Sequence, residues 1–598
     1  MEVKAEVLSI AKLSDYFFVV PDYQREYVWR ADDQVEQFLQ DIDNETDTNQ
    51  SYFIGSIIIV KNKYGKFDVI DGQQRLTTII LALCAMRDLL HQRELNEEQK
   101  KILDKIENLL FEYDLETGKD NVRLELQYPE SKDYLNKLID NVDFFGEITP
   151  SIARMEEAYS TIKDFYAIKI NNSIEKTINH IRYFLTKVEI VKIVSENLSS
   201  ALKIFETINQ RGMGLNAMDL IKNLLFSHTN ESDFEQIKEI WKKIGSNLQY
   251  CHEENTPMRF LRYFFIARYT SGTDILREDG IYKWLISPEG KNATSYETKP
   301  IELAQEIAIL SERYSQLVHA TEEYNSDYPN LSSIGKINKV KSRQHLILLL
   351  ALHPNCKRDV LEYLAKQIES FFFYTVTMHI QAKYNENQFV RWAQKLRNKQ
   401  ELQDVIRILN ETMLPYLKDK ITDLKASFIN IRHDHYNPLY RQRYVLGKIE
   451  NTINDKCNLP KKDTIDDYEI EHILPQTPHD GDYSKFGDEM TYYIQVYKLG
   501  NVTLIESSIN QALNNCNNLS ENWFKEKQDE YRKSAITMTC LLDKEFSIGK
   551  NSTLNKFKTD IGYCFDNWDA SSIDRRQAIL LDLALDTWRV NDKRIDDE

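Results

Sequence analysis

The sequence predicts a multidomain, predominantly α-helical protein with an α+β domain at its N-terminal end and a small strand–strand–helix module near its C-terminal end. Three observations predict this. At 598 residues the chain is too long for one hydrophobic core, so two to four domains are expected. Gly (18) and Pro (13) are scarce beside Tyr (33) and Phe (26), a balance that suits long helices with few turns. Hydrophobic content of 42% with 11% aromatic residues marks a folded chain.

Taken in order, Tyr52-Phe53-Ile54-Gly55-Ser56-Ile57-Ile58-Ile59-Val60 reads as a buried strand. Asn62 to Lys66 is a turn, Phe67-Asp68-Val69-Ile70 a second strand, and 52–70 a hairpin. Leu76 to Leu90 carries apolar residues at helical spacing, so Asp71-Gly72-Gln73-Gln74-Arg75 lies on a strand-to-helix junction. From 150 to 430 the pattern is helical, with helices expected over 151–170, 199–209, 218–227, 232–247, 300–323, 357–380 and 399–417. A strand-like Val188-Glu189-Ile190-Val191 interrupts it, and Ser287-Pro288-Glu289-Gly290 and Tyr328-Pro329-Asn330 read as loops. A helix is expected over 441–454, a strand over 464–472, a loop over 475–482, a short strand over 502–505 with a helix after it, and an amphipathic helix over 573–588. The expected domains are 1–235, a helical middle region 236–430, and 431–598.

The formal charge of −17 argues against a uniformly DNA-binding surface, since phosphate contacts want Lys and Arg; a cleft needs only a local positive field. Seven cysteines lie far apart, with no CxxC, no zinc spacing and no disulfide framework, which suits a reducing cytoplasm. No apolar run reaches membrane-spanning length, and the first residues do not read as a signal peptide.

The chemistry-bearing residues cluster near the C-terminal end: Glu471-His472-Ile473-Leu474-Pro475-Gln476, then Gly500-Asn501-Val502-Thr503-Leu504, then Asn510. Phosphodiester hydrolysis needs a base for water, a cation for the developing charge, and a group that aims the base. A neutral histidine serves the first near pH 7, and hard oxygens that hold a divalent ion serve the second. On a strand, Glu471 and His472 point to opposite sides, so their convergence requires a twist or bulge at the strand end. The bland reading is a chance Glu-His pair with turn-forming asparagines. His479, Asp480 and Asp482 read as solvated loop residues.

This ordered set, continued by Phe524-Lys525-Glu526-Lys527 and Tyr531-Arg532-Lys533-Ser534, resembles the His-Asn-His (ββα-metal) nuclease module of GmrSD-type modification-dependent restriction enzymes. The resemblance implies His472 as general base, Asn501 as support of the hairpin and the histidine, and Glu471 and Asn510 as ligands of Mg²⁺ or Mn²⁺.

At the other end, Asp71–Arg75 could hold an anion on the free N–H groups of a helix start, with Arg75 as a fork for phosphate; Asp71 as a plain helix cap is equally consistent. Pro21-Asp22-Tyr23-Gln24-Arg25-Glu26-Tyr27-Val28-Trp29 is rich in aromatic and forked side chains, which suit either a ligand or a packed cluster. With Phe205 to Leu215 and Asp219 to Asn223, these segments resemble the N-terminal domain of the same family, whose fold is similar to ParB and sulfiredoxin. By that resemblance Asp71, Gln73, Gln74 and Arg75 line a nucleoside triphosphate site, Gln24 and Arg25 lie beside it, and Asn209, Arg211, Asp219 and Lys222 are further candidates. No GxxxxGK[ST] phosphate loop is present. Lys336, Lys339, Lys341 and Arg343 read as a solvated face or a DNA channel, as do Arg432, Arg441 and Arg443.

The function expected is an NTP-responsive, metal-dependent endonuclease of prokaryotic defence that cuts modified double-stranded phage DNA, with no membrane partner and with self-association left open. The rival is a nucleotide-dependent DNA-binding regulator with a degenerate nuclease module; an RNA-directed nuclease is a third reading.

Overall fold

β-Branched runs from two distant stretches meet in the middle of one mixed sheet. The computed structural model describes the chain apart from residues 1–2, 23, 25, 47, 49, 116–117, 210–216, 252–255, 273–274, 322–325, 339–342, 464, 478–482, 484–485, 487, 518–521, 550–551 and 598, and the side chains of 3, 129–130, 199, 203, 206–209, 217 and 231. Two compact units emerge: Met1–Lys243 with Ser295–Gln305, and Ile244–Thr294 with Glu306–Glu598.

In the first unit the strands are β1 (Val3–Ser9), β2 (Phe18–Val20), β3 (Tyr52–Lys61), β4 (Phe67–Asp71), a separate hairpin of β5 (Phe111–Asp114) and β6 (Lys119–Val122), β7 (Leu124–Leu126) and β8 (Val188–Ser195). The sheet order is β1-β8-β3-β4-β2-β7. β3 pairs antiparallel with β4, as the expected hairpin requires, and parallel with β8. Period-2 alternation then sorts the side chains: Ile57, Ile59 and Val69 join one core with the helix Gln73–His91. That helix is buried nearly throughout, its polar Arg87 and Asp88 paired with each other inside, because sheet and neighbouring helices enclose it. The helix Leu198–Asn209 packs over β3, β4 and β8.

A histidine in this core carries a pH signature. His180 is 3% exposed, wedged against Phe165 and Tyr166. Burial pushes its pKa from 6.5 down to about 4; Lys169 adds to the shift and Asp43 opposes it. The unfolded chain therefore takes up a proton that the folded one refuses. Stability of the first unit is expected to fall as pH drops from 6.5 toward 4, by on the order of 1.4 kcal/mol per pH unit. Urea denaturation across that range checks this, with a flatter slope expected for His180→Leu.

The second unit is mainly helical. The helix Arg358–Thr377 buries Phe371, Phe372, Phe373 and Tyr374, and Phe373 stacks on Trp588. The helix Leu439–Lys456 places the fully buried Glu450 where it accepts from the N–H groups of Thr537 (2.7 Å) and Met538 (2.8 Å). The unit's two strands, β9 (Glu469–His472) and β10 (Val502–Ile505), pair antiparallel.

Most expected helices are present, and the differences have local causes. Pro288 and Pro329 begin the helices Pro288–Thr294 and Pro329–Ile337 instead of lying in loops, since a fixed φ suits a first helical turn; the Ser287 Oγ also accepts from the N–H of Gly290. The helix expected over 399–417 is two, Leu402–Glu411 and Met413–Lys418, because Pro415 has no N–H to continue the first. The strand expected over 464–472 is only Glu469–His472. Asp466 and Asp467 form a turn closed by the Tyr468 N–H on the Ile465 carbonyl.

Candidate active site

The β9–β10 hairpin and the helix Ser507–Leu513 after it carry the C-terminal constellation. β9 ends on His472, directly across from Val502, where β10 begins. Asn501 staples the connection between them. It is fully buried; its Oδ1 accepts from the N–H of Leu474 (2.8 Å) and the indole of Trp568 (2.9 Å), and its Nδ2 donates to the carbonyls of Leu474 (3.0 Å) and Val496 (2.9 Å). Asn501 thus braces the hairpin, as the resemblance implied, but spends its amide there and not on the His472 ring. Gly500 is needed because a Cβ would lie 2.5 Å from the Ile573 carbonyl oxygen and 2.9 Å from the Gln577 nitrogen. From the same helix, Ala570–Thr587, the fully buried Arg576 donates to the carbonyls of Gly500 and Val502, each at 2.7 Å.

His472 Nε2 lies 3.0 Å from Nε2 of His433 and 3.3 Å from Nε2 of Gln476. Nδ1 of His433 faces Gln442 Oε1 at 2.9 Å. Among the described residues no hydrogen bond uses Nδ1 of His472. Burial pushes the His472 pKa down to about 3; His433 and Lys527 add to this and Asp434 opposes it. The ring is therefore neutral near pH 7, the state a general base requires.

Glu471 and Asn510 are held elsewhere. Glu471 and His472 are successive residues of a regular strand, so their side chains leave on opposite sides and no bulge brings them together. Oε1 of Glu471 accepts from Lys527 Nζ (2.6 Å) and from the Tyr531 hydroxyl (3.1 Å), and Lys527 Nζ also donates to the His472 carbonyl (3.1 Å). Asn510 donates through Nδ2 to Glu469, two residues before Glu471 and on the same strand face. Among the described residues no three His, Cys, Asp or Glu side chains gather as a metal cluster.

In the N-terminal unit, Asp71 ends β4 and the helix Gln73–His91 starts after Gly72, as the motif predicts. Gln74 is a clamp: its Oε1 accepts from the Val28 N–H (2.8 Å) and its Nε2 donates to the Glu26 carbonyl (3.0 Å), which fixes the loop through Gln24. Arg75 Nη1 donates to the Ser56 carbonyl at 2.7 Å and lies across Gly55, whose φ of +114° and lack of a Cβ make room for it. Gln24 is buried, and its Nε2 has no hydrogen-bond partner among the described residues. Tyr27 is a core residue bonded to Thr78 Oγ1 at 2.8 Å, and Trp29 packs on Phe38, so packing describes these two aromatics. Asp219 and Lys222 form an ion pair of 3.5 Å. Tyr23, Arg25 and Arg211, the side chain of Asn209, and His479, Asp480 and Asp482 lie outside the described residues. A cavity of about 790 Å³ opens beside Asp68, Ile70, Asn62 and Lys238, and none of Asp71, Gln73, Gln74 or Arg75 lines it.

Two family profiles match the chain. The GmrSD restriction endonuclease N-terminal domain matches residues 7–226, and the GmrSD restriction endonucleases C-terminal domain matches residues 418–583. The chain belongs to the GmrSD restriction endonuclease family. No curated protein matches it significantly. As a GmrSD-family protein it is a hydrolase of the restriction endonuclease type, associated with antiviral defence, and DNA is its substrate. Among its described residues no helix is long and apolar enough to cross a membrane.

Both constellations fall within the matched GmrSD segments, and the C-terminal one offers donors of the right kind for a hard divalent cation. The carboxylates of Glu469 and Glu471 and the carboxamide of Asn510 are oxygen ligands. Glu471 already carries a counter-cation in Lys527, so an incoming ion would share or displace it. Lys527 and Tyr531 helped to carry the resemblance without a role of their own, and His433 took no part in the sequence reading. The first two had a signal: they lie four residues apart on the helix Trp523–Tyr531, hence on one face. His433 had none, being separated from His472 by 39 residues and flanked by no motif. Of the basic candidates, Arg432 pairs with Asp434 (2.7 Å), Lys336 pairs with Asp466 (3.7 Å), Arg343 and Arg441 are buried, and Lys339 and Lys341 lie outside the described residues.

Proposed function

We propose that this GmrSD-family chain is an NTP-responsive, metal-dependent endonuclease that cuts modified phage DNA, with a ββα-metal module at 431–598 and a ParB/sulfiredoxin-like sensor at 1–235. The observation that carries this reading is a histidine at the end of a hairpin strand, kept neutral by burial, whose Nδ1 takes part in no hydrogen bond among the described residues. In this reading His472 takes a proton from water, and Asn501 holds the hairpin rigid. Glu471 and Asn510, which lie toward the face of β9 opposite the His472 side chain, would hold Mg²⁺ or Mn²⁺, which when bound supplies charge neutralisation for a phosphate. Incubation of the protein with supercoiled plasmid and modified phage DNA, Mg²⁺ and each triphosphate tests it; nicks that require both metal and His472 are expected.

The sensor assignment rests on the helix start after Gly72, with Arg75 beside it. Gln74 holds the backbone at Glu26 and Val28, and Asp71, Gln73 and Arg75 face the nucleotide. Arg75→Ala is expected to slow triphosphate turnover by roughly tenfold or more, the scale of one charge-assisted contact. A phosphate-release assay checks this, and unchanged turnover removes the assignment.

One observation favours the second reading, a DNA-binding regulator with a degenerate nuclease module: the acid meant for metal is neutralised by Lys527. No nicks under any nucleotide, with nucleotide-dependent DNA retention, would establish it.

A further inference from the structure

His433 is absent from every motif of this chain, yet its ring meets the His472 ring nitrogen to nitrogen. The contact of 3.0 Å joins Nε2 to Nε2, so one of the two carries the hydrogen and the other a lone pair. Which is which follows from the carboxamide of the buried Gln442, held in turn by the exposed Asn437. Gln442 is 5% exposed, and its Nε2 donates to Asn437 Oδ1 at 2.7 Å. Its Oε1 therefore faces His433 Nδ1 at 2.9 Å, and a carbonyl oxygen only accepts. The proton of His433 sits on Nδ1, its Nε2 presents a lone pair, and Nε2–H of His472 donates into it. The backbone fixes the accepting ring as well: the His433 N–H donates to the Tyr497 carbonyl at 2.9 Å, beside an isolated bridge between Arg432 and Lys498. Gln476 also approaches His472 Nε2, at 3.3 Å. Its carboxamide is exposed and free to reverse so that its oxygen faces the same N–H, whereas Gln442 is buried with both ends of its amide engaged.

We propose that His433 is a positioning residue of the nuclease site: it sets the tautomer of His472 and aims its unprotonated Nδ1 outward as the base. This rests on the reading of His472 as the base. It assigns to a second imidazole the job that a backbone or amide oxygen was expected to do. When water gives its proton to Nδ1, the imidazolium formed still donates from Nε2 to His433, so the ring is held in one orientation through the transfer.

The test uses the full-length protein labelled with ¹⁵N-histidine, with the His472 signals assigned by their loss in His472→Ala. Long-range ¹H–¹⁵N correlation at neutral pH distinguishes a protonated from an unprotonated ring nitrogen. His472 protonated at Nε2 and bare at Nδ1 is expected; the reverse overturns the proposal. His433→Phe keeps a flat ring but removes the acceptor. It is expected to lower kcat for DNA cleavage about 10- to 100-fold, with KM little changed and a mixed His472 tautomer. His433→Gln, which restores an acceptor near the same point, is expected to recover most of the rate. A His433→Phe enzyme with wild-type kcat and an unchanged tautomer also overturns the proposal. If that variant does not fold, Gln442→Leu, which leaves both rings in place but frees the polarity of His433, gives the same reading. A protein that cuts no DNA at all would sink the nuclease reading, while the ring spectrum would still decide the tautomer.

Discussion

His472→Ala is expected to abolish DNA cleavage while leaving the second unit folded. The imidazole is neutral because burial opposes its protonation, with His433 and Lys527 adding to the effect, which together push its pKa down to about 3. A general base contributes on the order of 10²- to 10⁴-fold to such a step. The loss should appear in kcat, because His472 acts on the water and not on the binding of the duplex. The ring packs edge-on to Tyr497 and His433 and, among the described residues, hydrogen-bonds through Nε2 alone, so its removal costs little of the core. Supercoiled-plasmid nicking beside a thermal melt checks both halves. Triphosphate turnover should survive, since the Asp71–Arg75 junction belongs to the other unit. Cleavage at the wild-type rate would remove His472 from the chemistry.

The second large effect is on stability. Lys527 has a side chain 1% exposed and Glu471 one 10% exposed, with their charges 2.6 Å apart. Removal of one member of a buried pair strands the other charge in the interior, a cost of about 3–5 kcal/mol. Glu471→Ala is therefore expected to destabilise the second unit by that amount. It also takes from the Tyr531 hydroxyl the acceptor it uses at 3.1 Å. The double variant Glu471→Gln with Lys527→Met removes both charges and should recover most of the loss, because no ion is left unpaired. Urea denaturation of the three proteins measures it; a loss in Glu471→Ala below about 1 kcal/mol would mean that the pair is screened. The rescued variant also separates the two functional readings. If it folds and does not cut, Glu471 serves the metal; if it folds and cuts normally, Glu471 is structural only.

Local order was legible in the sequence. The β3–β4 hairpin, the junction at Asp71, the helix Gln73–His91 and the strand Val502–Ile505 follow from alternation, helical periodicity and turn residues. The ordered motifs also sufficed to identify the family, whose profiles match at both ends. What spacing could not give is which partner a polar side chain finds. Gln74 reads as a ligand in a motif, yet both ends of its amide close on backbone at residues 26 and 28. Glu471 reads as a metal ligand, yet a lysine 56 residues later reaches it first. His433 carries no pattern, because its partner arrives from a strand far along the chain. The prolines at 288 and 329 were misread for a simpler cause: the same residue that ends helices also starts them.

Arg576 has one further consequence. Its guanidinium reaches across more than seventy residues of sequence to the carbonyls on either side of Asn501. A recombinant fragment that stops short of residue 570 would retain every motif of the hairpin and lose the donor that satisfies it. Two carbonyls would then sit in a dry interior without a hydrogen, and the strand ending at His472 would rest on an unsupported floor. Excision of a minimal cutting module from this protein should therefore carry through the helix Ala570–Thr587, whatever the motifs alone appear to permit.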